Sequence, residues 1–426
     1  MALSLLRHRD FGLLWFAGLI SLTGTWVLSV ALPITVYEMT GSPAATSAIV
    51  AVNVGTRLVF GAVAGVYVDR WDRRRAMIWS NVLLAVALLP ALTMRIAVLY
   101  GVACAVAILN QIVQPAEHAL LPRLVAPADL AAANSLNALN NNLARLVGPA
   151  LGGVIAELYG LRGAILADIV SFAIAAALVA LIRGRHRATR TADVLHRELV
   201  AGLRAIRASR ILRALFACLL ITAVGEGVMA SLFAVFVSRE LRGGTVELGA
   251  LMSGQAVGGI VGGFVAAWLA GRWTPVRMVA VGLTLFGAVD LVIFNYPRWF
   301  TAVTPEIVLM AVVGIPGGVL LAGALTLLQT EVADELRGRV FGAILVVESG
   351  AMLVGSALAV VPLGVVTLLT VQGLGYVVAG VVFGVLTRSS ADHATGAVEL
   401  VLEDEYADTA VGAGRQRGPD ARLAEQ

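Results

Sequence analysis

Long apolar runs separated by short polar connections dominate the chain. A membrane-spanning helix needs roughly 20 consecutive apolar residues, and the sequence contains twelve runs of about that length. The runs cover residues 11–37, 44–68, 76–94, 97–115, 132–157, 161–182, 211–238, 247–270, 276–295, 305–328, 339–361 and 364–387. Because a helix satisfies its backbone hydrogen bonds internally, the pattern predicts an all-α integral membrane protein with twelve transmembrane helices.

Composition supports this interpretation and excludes several kinds of site. The chain is 59% hydrophobic and 14% charged, whereas soluble domains carry roughly 25% charged residues. It contains no lysine, so it lacks the GxxxxGK[ST] loop with which many ATPases bind phosphate. The two cysteines lie inside apolar runs and the histidines show no ligand spacing, so we expect no metal or cofactor.

The longest polar stretch inside the chain divides the runs into six and six. We therefore expect an N-terminal bundle at 1–182, a cytoplasmic linker at 183–210, a C-terminal bundle at 211–387 and a disordered cytoplasmic tail at 388–426. Leucines recur in the linker at helical spacing, with arginines on the other faces. This pattern fits either an amphipathic helix on the membrane surface or a solvated connection.

Similar segments recur in the two halves. LVGPALGGV (Leu146–Val154) resembles LVGSALAVV (Leu353–Val361), and Gly24 with Thr25 corresponds to Gly225 with Glu226. Repeated halves are a known plan of secondary transporters, whose substrate site lies at the interface between the repeats. The repeats predict two pseudo-symmetric six-helix bundles.

Arginines are concentrated on one side of the predicted spans. With the N-terminus inside, the outer connections hold only Arg95, Arg162, Arg239, Arg242 and Arg298, and the other arginines outside the spans fall on the inner side. Since cytoplasmic loops carry an excess of arginine, we expect a multi-pass plasma-membrane protein with both termini in the cytoplasm.

The connection between the second and third spans, GVYVDRWDRRR at 65–75, holds six charged side chains in seven positions. A loop that only fixes topology would not need the acids. The stretch resembles the loop 2–3 motif of the major facilitator superfamily, although Asp72 stands where the family commonly has glycine. The matching positions are Gly65, Asp69, Arg70, Arg73 and Arg74.

Further stretches resemble the branch of this superfamily that contains enterobactin exporters and macrolide or multidrug efflux pumps. They are VALPITVYEMTGSP, ALLPRL, RLVGPALGG and RGRVFG, and the resemblance covers the chain to about residue 388. It implies the major facilitator fold and a secondary active transporter, not an enzyme, that works by alternating access.

The resemblance also implies a cytoplasmic gate. In the family, the acid of loop 2–3 meets the start of the eleventh helix, so Asp69 would face the positive end of the helix that begins near Arg339. The arginines of the loop would form further bridges. These contacts would hold the inner side closed in one state and break in the other.

GPALGG, with Gly148, Pro149 and Gly152, resembles the core of a helix 5 motif that this superfamily associates with efflux. Pro149 also removes one helical hydrogen bond, so a purely structural kink is the alternative. Pro316, within GIPGG, interrupts the tenth span and is a candidate bending point.

Four charged residues fall near the centres of predicted spans, namely Arg57, Arg145, Glu226 and Glu348. A central charge costs roughly 2.5–3.5 kcal/mol on insertion scales, so it should face a partner or water. On the superfamily layout we expect an ion pair between Arg57 and Glu348 across the halves and Glu226 near the cavity. One of the acids would carry the coupling proton, and a static buried ion pair is the alternative.

Polar residues also follow helical spacing in the second and fifth spans. Asn53, Asn137 and Asn141 are expected to line the cavity or the join between the halves, and simple interhelical hydrogen bonding is the alternative. Asp168 and Asp290 lie in spans that the superfamily uses as peripheral supports, so a structural role is favoured for both.

Together these features predict proton-coupled export of an amphipathic small molecule, such as a drug, a macrolide or a siderophore-like compound. The expected partners are this substrate, protons and the lipid bilayer, with no nucleic acid, and the expected state is a monomer. An importer or a dedicated metabolite exporter of the same fold is the first alternative. A polytopic membrane enzyme is a weaker one, since it would need a cluster of His, Asp or Cys near a membrane face.

Overall fold

The computed structural model describes residues 2–68, 72–184, 203–207, 209–300, 302–332 and 334–387. Asp69 and Arg70 of the predicted gate, most of the linker and the predicted disordered tail lie outside the described residues. Within those ranges the chain is helical and contains no strand.

Eleven helices in these ranges are long and apolar enough to cross a membrane. Ten are α1 (Arg9–Thr40), α2 (Pro43–Val68), α3 (Arg73–Leu88), α4 (Ile96–Leu120), α7 (Arg210–Arg239), α8 (Thr245–Leu269), α9 (Pro275–Asn295), α10 (Val303–Glu331), α11 (Asp334–Leu358) and α12 (Val365–Thr387). The eleventh, Leu130–Ala180, is interrupted at Gly160, and we call its two arms α5 (130–159) and α6 (161–180).

The interruption reverses the direction of the chain. Gly160 has φ 65° and ψ −171°, a conformation outside the helical region. The two ends of the long helix nevertheless meet, because Leu136 of α5 and Val179 of α6 pack in one apolar cluster with Phe11 of α1. The helix therefore crosses the membrane and returns, which gives the twelve predicted crossings and confirms the predicted fold class.

The sequence repeat corresponds to a repeated helix contact. A Cβ added to Gly148 of α5 would meet the side chain of Trp26 in α1, and one added to Gly355 of α11 would meet the carbonyl of Val224 in α7. In both halves, then, a glycine of the repeat lets the fifth helix of the bundle lie directly against the first. Small residues serve such close approach in membranes.

The two ends of the bundle differ. We call the membrane face where the connection between the halves leaves Ile182 and enters at Ser209 the linker face, and the opposite face, which carries Gly160, the far face. On the far face, Thr46 of α2 donates a hydrogen bond to the carbonyl of Ser231 in α7 at 3.0 Å, and Ser356 of α11 donates one to the carbonyl of Ser47 in α2, also at 3.0 Å.

A second far-face contact joins α5 to α8. A Cβ on Gly153 would lie 2.6 Å from the carbonyl oxygen of Thr245, and one on Gly249 would meet the carbonyl oxygen of Pro149. Thr245 also donates a hydrogen bond to the carbonyl of Gly153 at 3.2 Å. Two backbones in such contact leave no room for side chains, so the far face is sealed where the halves meet.

The halves separate toward the linker face. Farther along α8, a Cβ at Gly259 or Gly263 would find no described atom within 4 Å, and the same holds for Gly342 of α11. At these positions α8 and α11 therefore lack the close contact with the other half that their far-face ends make.

We predict that Gly160→Ala destabilises the protein. The conformation of Gly160 is open essentially only to glycine, so a Cβ should cost about 1–3 kcal/mol. The measurement is the free energy of unfolding in mixed micelles. Gly101→Ala is the matched control, because Gly101 is helical and a Cβ there meets no described atom within 4 Å. Equal losses in the two variants would contradict the assignment of Gly160 as the point of reversal.

Gly249→Val should open the far face, because the new side chain would collide with the backbone of Pro149. The change is read as a longer electron–electron distance between spin labels at Tyr159 and Leu363, two exposed far-face positions in opposite halves. Gly263→Val, on the same helix where the halves are apart, should leave that distance unchanged. An unaltered distance in Gly249→Val would show that the α5–α8 contact does not hold the two halves together along the line where they meet, which we call the seam.

Candidate functional site

A cavity of about 760 Å³ lies between the two halves, within the size range of small-molecule sites. Its polar lining comes from both halves and includes Asn53, Asn110, Asn142, Arg145, Asp168, Glu226, Gln255, Asp290, Gln372 and Tyr376. Trp26, Met229 and Phe233 are among its apolar and aromatic lining residues. The cavity can therefore hold a molecule with both apolar and polar parts.

Arg145 joins the two halves inside the cavity. Its guanidinium Nη2 donates a hydrogen bond to Oε1 of Gln255 in α8 at 3.1 Å, where the α5–α8 contact ends and the helices begin to separate. The structure thus places this intramembrane charge at the cavity with a polar partner. Gln255 escaped the sequence analysis because an uncharged side chain in a glycine-rich span gives little signal.

Four residues of the C-terminal half form a group that we call the acid cluster: Glu226 of α7, Asp290 of α9, and Gln372 and Tyr376 of α12. The hydroxyl of Tyr376 lies 3.2 Å from Oε1 of Glu226, and Nε2 of Gln372 donates a hydrogen bond to Oδ2 of Asp290 at 2.9 Å. All four line the cavity, and Glu226 is the one among them that the sequence analysis placed near it.

The N-terminal half carries a smaller counterpart. Ser171 donates a hydrogen bond to Asp168 within α6, and both side chains pack on Gly24, where a Cβ could not fit. Gly225 similarly packs on Gln372 and Tyr376 in α12. Gly24 and Gly225 thus occupy equivalent positions on the first helix of each half, and at both positions polar side chains of another helix pack on the glycine.

The sequence favours a purely structural role for Asp168 and Asp290, but the structure also places both at the cavity. Both are buried and hydrogen-bonded, as a support would be, but both also line the cavity. Gly287 of α9 and Gly373 of α12 explain the case of Asp290, because these glycines let the two helices approach closely enough for its carboxyl group to reach inward.

The expected ion pair between Arg57 and Glu348 is not formed in this conformation. Arg9–Asp10 is the only pair within 4.0 Å among the described residues. Arg57 is exposed and Glu348 is half-buried.

The asparagine stripe of α5 meets the cavity in a different register from the one expected. Asn53 of α2 lines the cavity, but Asn142, not Asn137 or Asn141, lines it from α5. Asn141 instead donates a hydrogen bond to the carbonyl of Asn137 at 3.0 Å. Packing of α5 on α1 and α8 sets the rotation of the helix, and spacing alone could not fix it.

The GPALGG motif forms two contacts at once. Gly148 and Gly152 face α1, whereas Pro149 and Gly153 face α8 of the other half. Of the candidate residues, Pro149 therefore lies in the contact between the halves, whereas Gly148 and Gly152 pack α5 on α1 within the N-terminal half.

Pro316 is buried within the continuous helix α10. Its neighbours Gly314, Gly317 and Gly318 line the cavity. Gly314 and Gly318 also contact the backbone of α8. GIPGG therefore packs α10 on α8 beside the cavity.

Two arginines of the predicted gate contact their own half here. Arg73 donates a hydrogen bond to the carbonyl of Ala119 at 2.9 Å, and Arg74 donates one to the carbonyl of Val179 at 3.3 Å. Basic side chains commonly stabilise the carbonyl ends of helices in this way, and these two hold the ends of α4 and α6. Both of these hydrogen bonds stay within the N-terminal half.

The remaining described gate positions lie at the linker face. Gly65 is in the last turns of α2. The helix predicted to begin near Arg339 begins at Asp334, more than a turn earlier, and Arg339 is exposed. Charged residues of high helix propensity extend α11 beyond its apolar run, so the edge of the run did not mark the helix start.

Several bacterial efflux proteins resemble the chain in sequence. The multidrug efflux pump Tap of Mycobacterium tuberculosis is 28% identical over 351 residues, which is 78% of this chain and 81% of Tap. Macrolide efflux protein A of Streptococcus pyogenes is 23% identical over 81% of this chain and 87% of its own length. The putative bacilysin exporter BacE of Bacillus amyloliquefaciens is 27% identical over 77% of this chain and 84% of its own.

Solved transporters share the fold. A bacterial homologue of the iron transporter ferroportin in an inward-facing state superposes with a TM-score of 0.71 at 18% identity, covering 89% of this chain and 98% of that one. A bacterial homologue of the lysosomal transporter Spinster gives a TM-score of 0.67 at 12% identity, covering 89% and 97%. The family profile described as Major Facilitator Superfamily matches residues 14–356. With its twelve crossings, repeated halves and cavity between them, the chain belongs to the Major Facilitator Superfamily, as the resemblance in the sequence predicted.

Proposed function

We propose that the protein exports amphipathic small molecules from the cytoplasm by alternating access, with protons as the coupling ion. The observation that carries this proposal is a cavity sealed at the far face by α2, α5, α7, α8 and α11 and flanked by helices that separate toward the linker face. Such an arrangement is one of the two end states that alternating access requires. The efflux functions named for its relatives support the direction of transport.

We infer that the linker face is cytoplasmic. The arginines near that face outnumber those of the far face, and positively charged loops remain on the cytoplasmic side. The cavity would then load from the cytoplasm or the inner leaflet, as an exporter requires. This orientation places both termini inside the cell, in the plasma membrane.

The second state would close the linker face. Asp69 and Arg70 would approach the first turns of α11, and Arg57 would approach Glu348 as α2 and α11 come together. An ion pair formed in only one state favours that state by its own free energy. The charges at the diverging end of the seam would therefore act as the inner gate, and the glycine contacts as the outer one.

Export is tested in a bacterium that lacks its main efflux pumps. Cells that express the protein should accumulate less of an amphipathic fluorescent dye than cells with an empty vector, and a protonophore should abolish the difference. Asp69→Asn is the matched variant, since it should be made at the same level but fail to lower accumulation. Unchanged accumulation and unchanged sensitivity across a broad drug panel would contradict drug export and favour a dedicated metabolite exporter.

Proton coupling is tested in proteoliposomes with an imposed pH gradient. We expect Glu226→Gln or Glu348→Gln to lower pH-driven transport at least tenfold, because an amide cannot carry the proton, while exchange without a gradient is less affected. Glu331→Gln, at an exposed acid on the linker face, should behave as the wild type. If both intramembrane variants keep full pH-driven transport, neither acid couples protons.

A further inference from the structure

The acid cluster presents hydrogen-bond acceptors that the protein leaves free. Tyr376 bonds to one oxygen of Glu226 and Gln372 to one oxygen of Asp290, but the second oxygen of each carboxyl group has no hydrogen bond to a described residue. Gln372 is only 7% exposed, yet its Oε1 has no hydrogen-bond partner in the described part of the chain. An unpaired buried acceptor is costly, so this group favours a ligand that supplies donors.

The donors inside the cluster already have acceptors. The single hydroxyl hydrogen of Tyr376 is shared between Glu226 and the carbonyl of Thr222, which lies at 3.2 Å from the hydroxyl oxygen. One of the two N–H groups of the Gln372 amide bonds to Asp290. A protonated amine suits such a site, because it supplies several N–H donors together with a charge opposite to that of an ionised acid.

The cavity wall next to the cluster is apolar. Along α7, Thr222, Glu226, Met229 and Phe233 line the cavity in turn, so one helix face passes from polar to apolar toward the far face. An amine held at Glu226 would place its apolar body against Met229 and Phe233. The positive charge of Arg145 lies on the other side of the seam, where its guanidinium donates a hydrogen bond to Gln255.

We propose that the acid cluster is the subsite for the protonated amine of the transported molecule, and that the substrates are amphipathic amines. This inference rests on the proposed export function and specifies its substrate class. The N–H groups donate to the free oxygens of Glu226, Asp290 and Gln372, and the positive charge offsets the negative charge that the two acids carry when they are ionised. Charge alone does not suffice, because a cation without N–H groups leaves the acceptors unpaired.

Protons compete with the amine for the same carboxylates. Arg145 of α5 and Tyr376 of α12 act on Glu226. Glu226 in turn acts on Asp290 and on Glu348 of α11. Protonation of either acid removes negative charge from the subsite. Amine binding therefore weakens as the pH falls.

The proposal is tested by equilibrium binding to the purified protein in nanodiscs, with three probes of nearly the same shape. They are 2-naphthylmethylamine, its N,N,N-trimethylammonium derivative and 2-naphthylmethanol. We expect the amine to bind at least tenfold more tightly than either of the others, and this preference to shrink to less than threefold in Glu226→Gln and in Asp290→Asn. Glu306→Gln is the control, since Glu306 is a buried acid of the same half that does not line the cavity.

Three outcomes can be distinguished in this experiment: an unfolded variant, a failed subsite and a failed export function. Thermal unfolding of each variant shows whether it is folded, and Tyr376→Phe, which keeps both carboxyl groups, provides a milder change that should retain most of the preference for the amine. Equal binding of the three probes, or equal loss in Glu306→Gln, would overturn the subsite while leaving export untouched. Selective amine binding without dye export in cells would instead overturn the proposed function and leave the subsite intact.

Discussion

The direct contact of helix backbones at the far face is the constraint on which the rest of the structure depends. Between Gly153 and Thr245, and between Pro149 and Gly249, the two halves approach too closely for any side chain. Hydrophobic burial gives helices little reason to associate in lipid, so close packing and hydrogen bonds must hold them together. Because these contacts lie at one end of the seam only, the other end is free to separate.

That geometry explains why the charges lie where they do. A carboxyl or guanidinium group in the middle of a bilayer is tolerated when it faces a partner or water, and the separating halves provide a cavity that meets this need. Arg145 finds Gln255 across the seam, whereas Glu226 and Asp290 find Tyr376 and Gln372 within their own half. The asymmetry leaves one wall of the cavity acidic and gives the site its chemical preference.

The fold could be predicted from the sequence because each span is marked by about 20 apolar residues, whose contributions add up. Apolar runs located the twelve crossings, and the repeat around Gly148 and Gly355 marked equivalent packing in the two halves. Prediction failed where the answer depends on rotation or on conformational state. The rotation of α5 that selects Asn142 over Asn141 is set by its neighbours, and whether Arg57 and Glu348 form an ion pair depends on the state, since they form none here. Neutral residues such as Gln255 and Gln372 carry no pattern that spacing could detect.

The central claim is that the two halves rock about the seam, so that one face opens as the other closes. The most direct measurement is electron–electron distance between two label pairs in the same protein preparation: Tyr159 with Leu363 at the far face, and Arg123 with Gly271 at the linker face. As pH and substrate are varied, the account predicts that the linker-face distance shortens whenever the far-face distance lengthens. Distances that stay fixed, or that lengthen and shorten together, would contradict it.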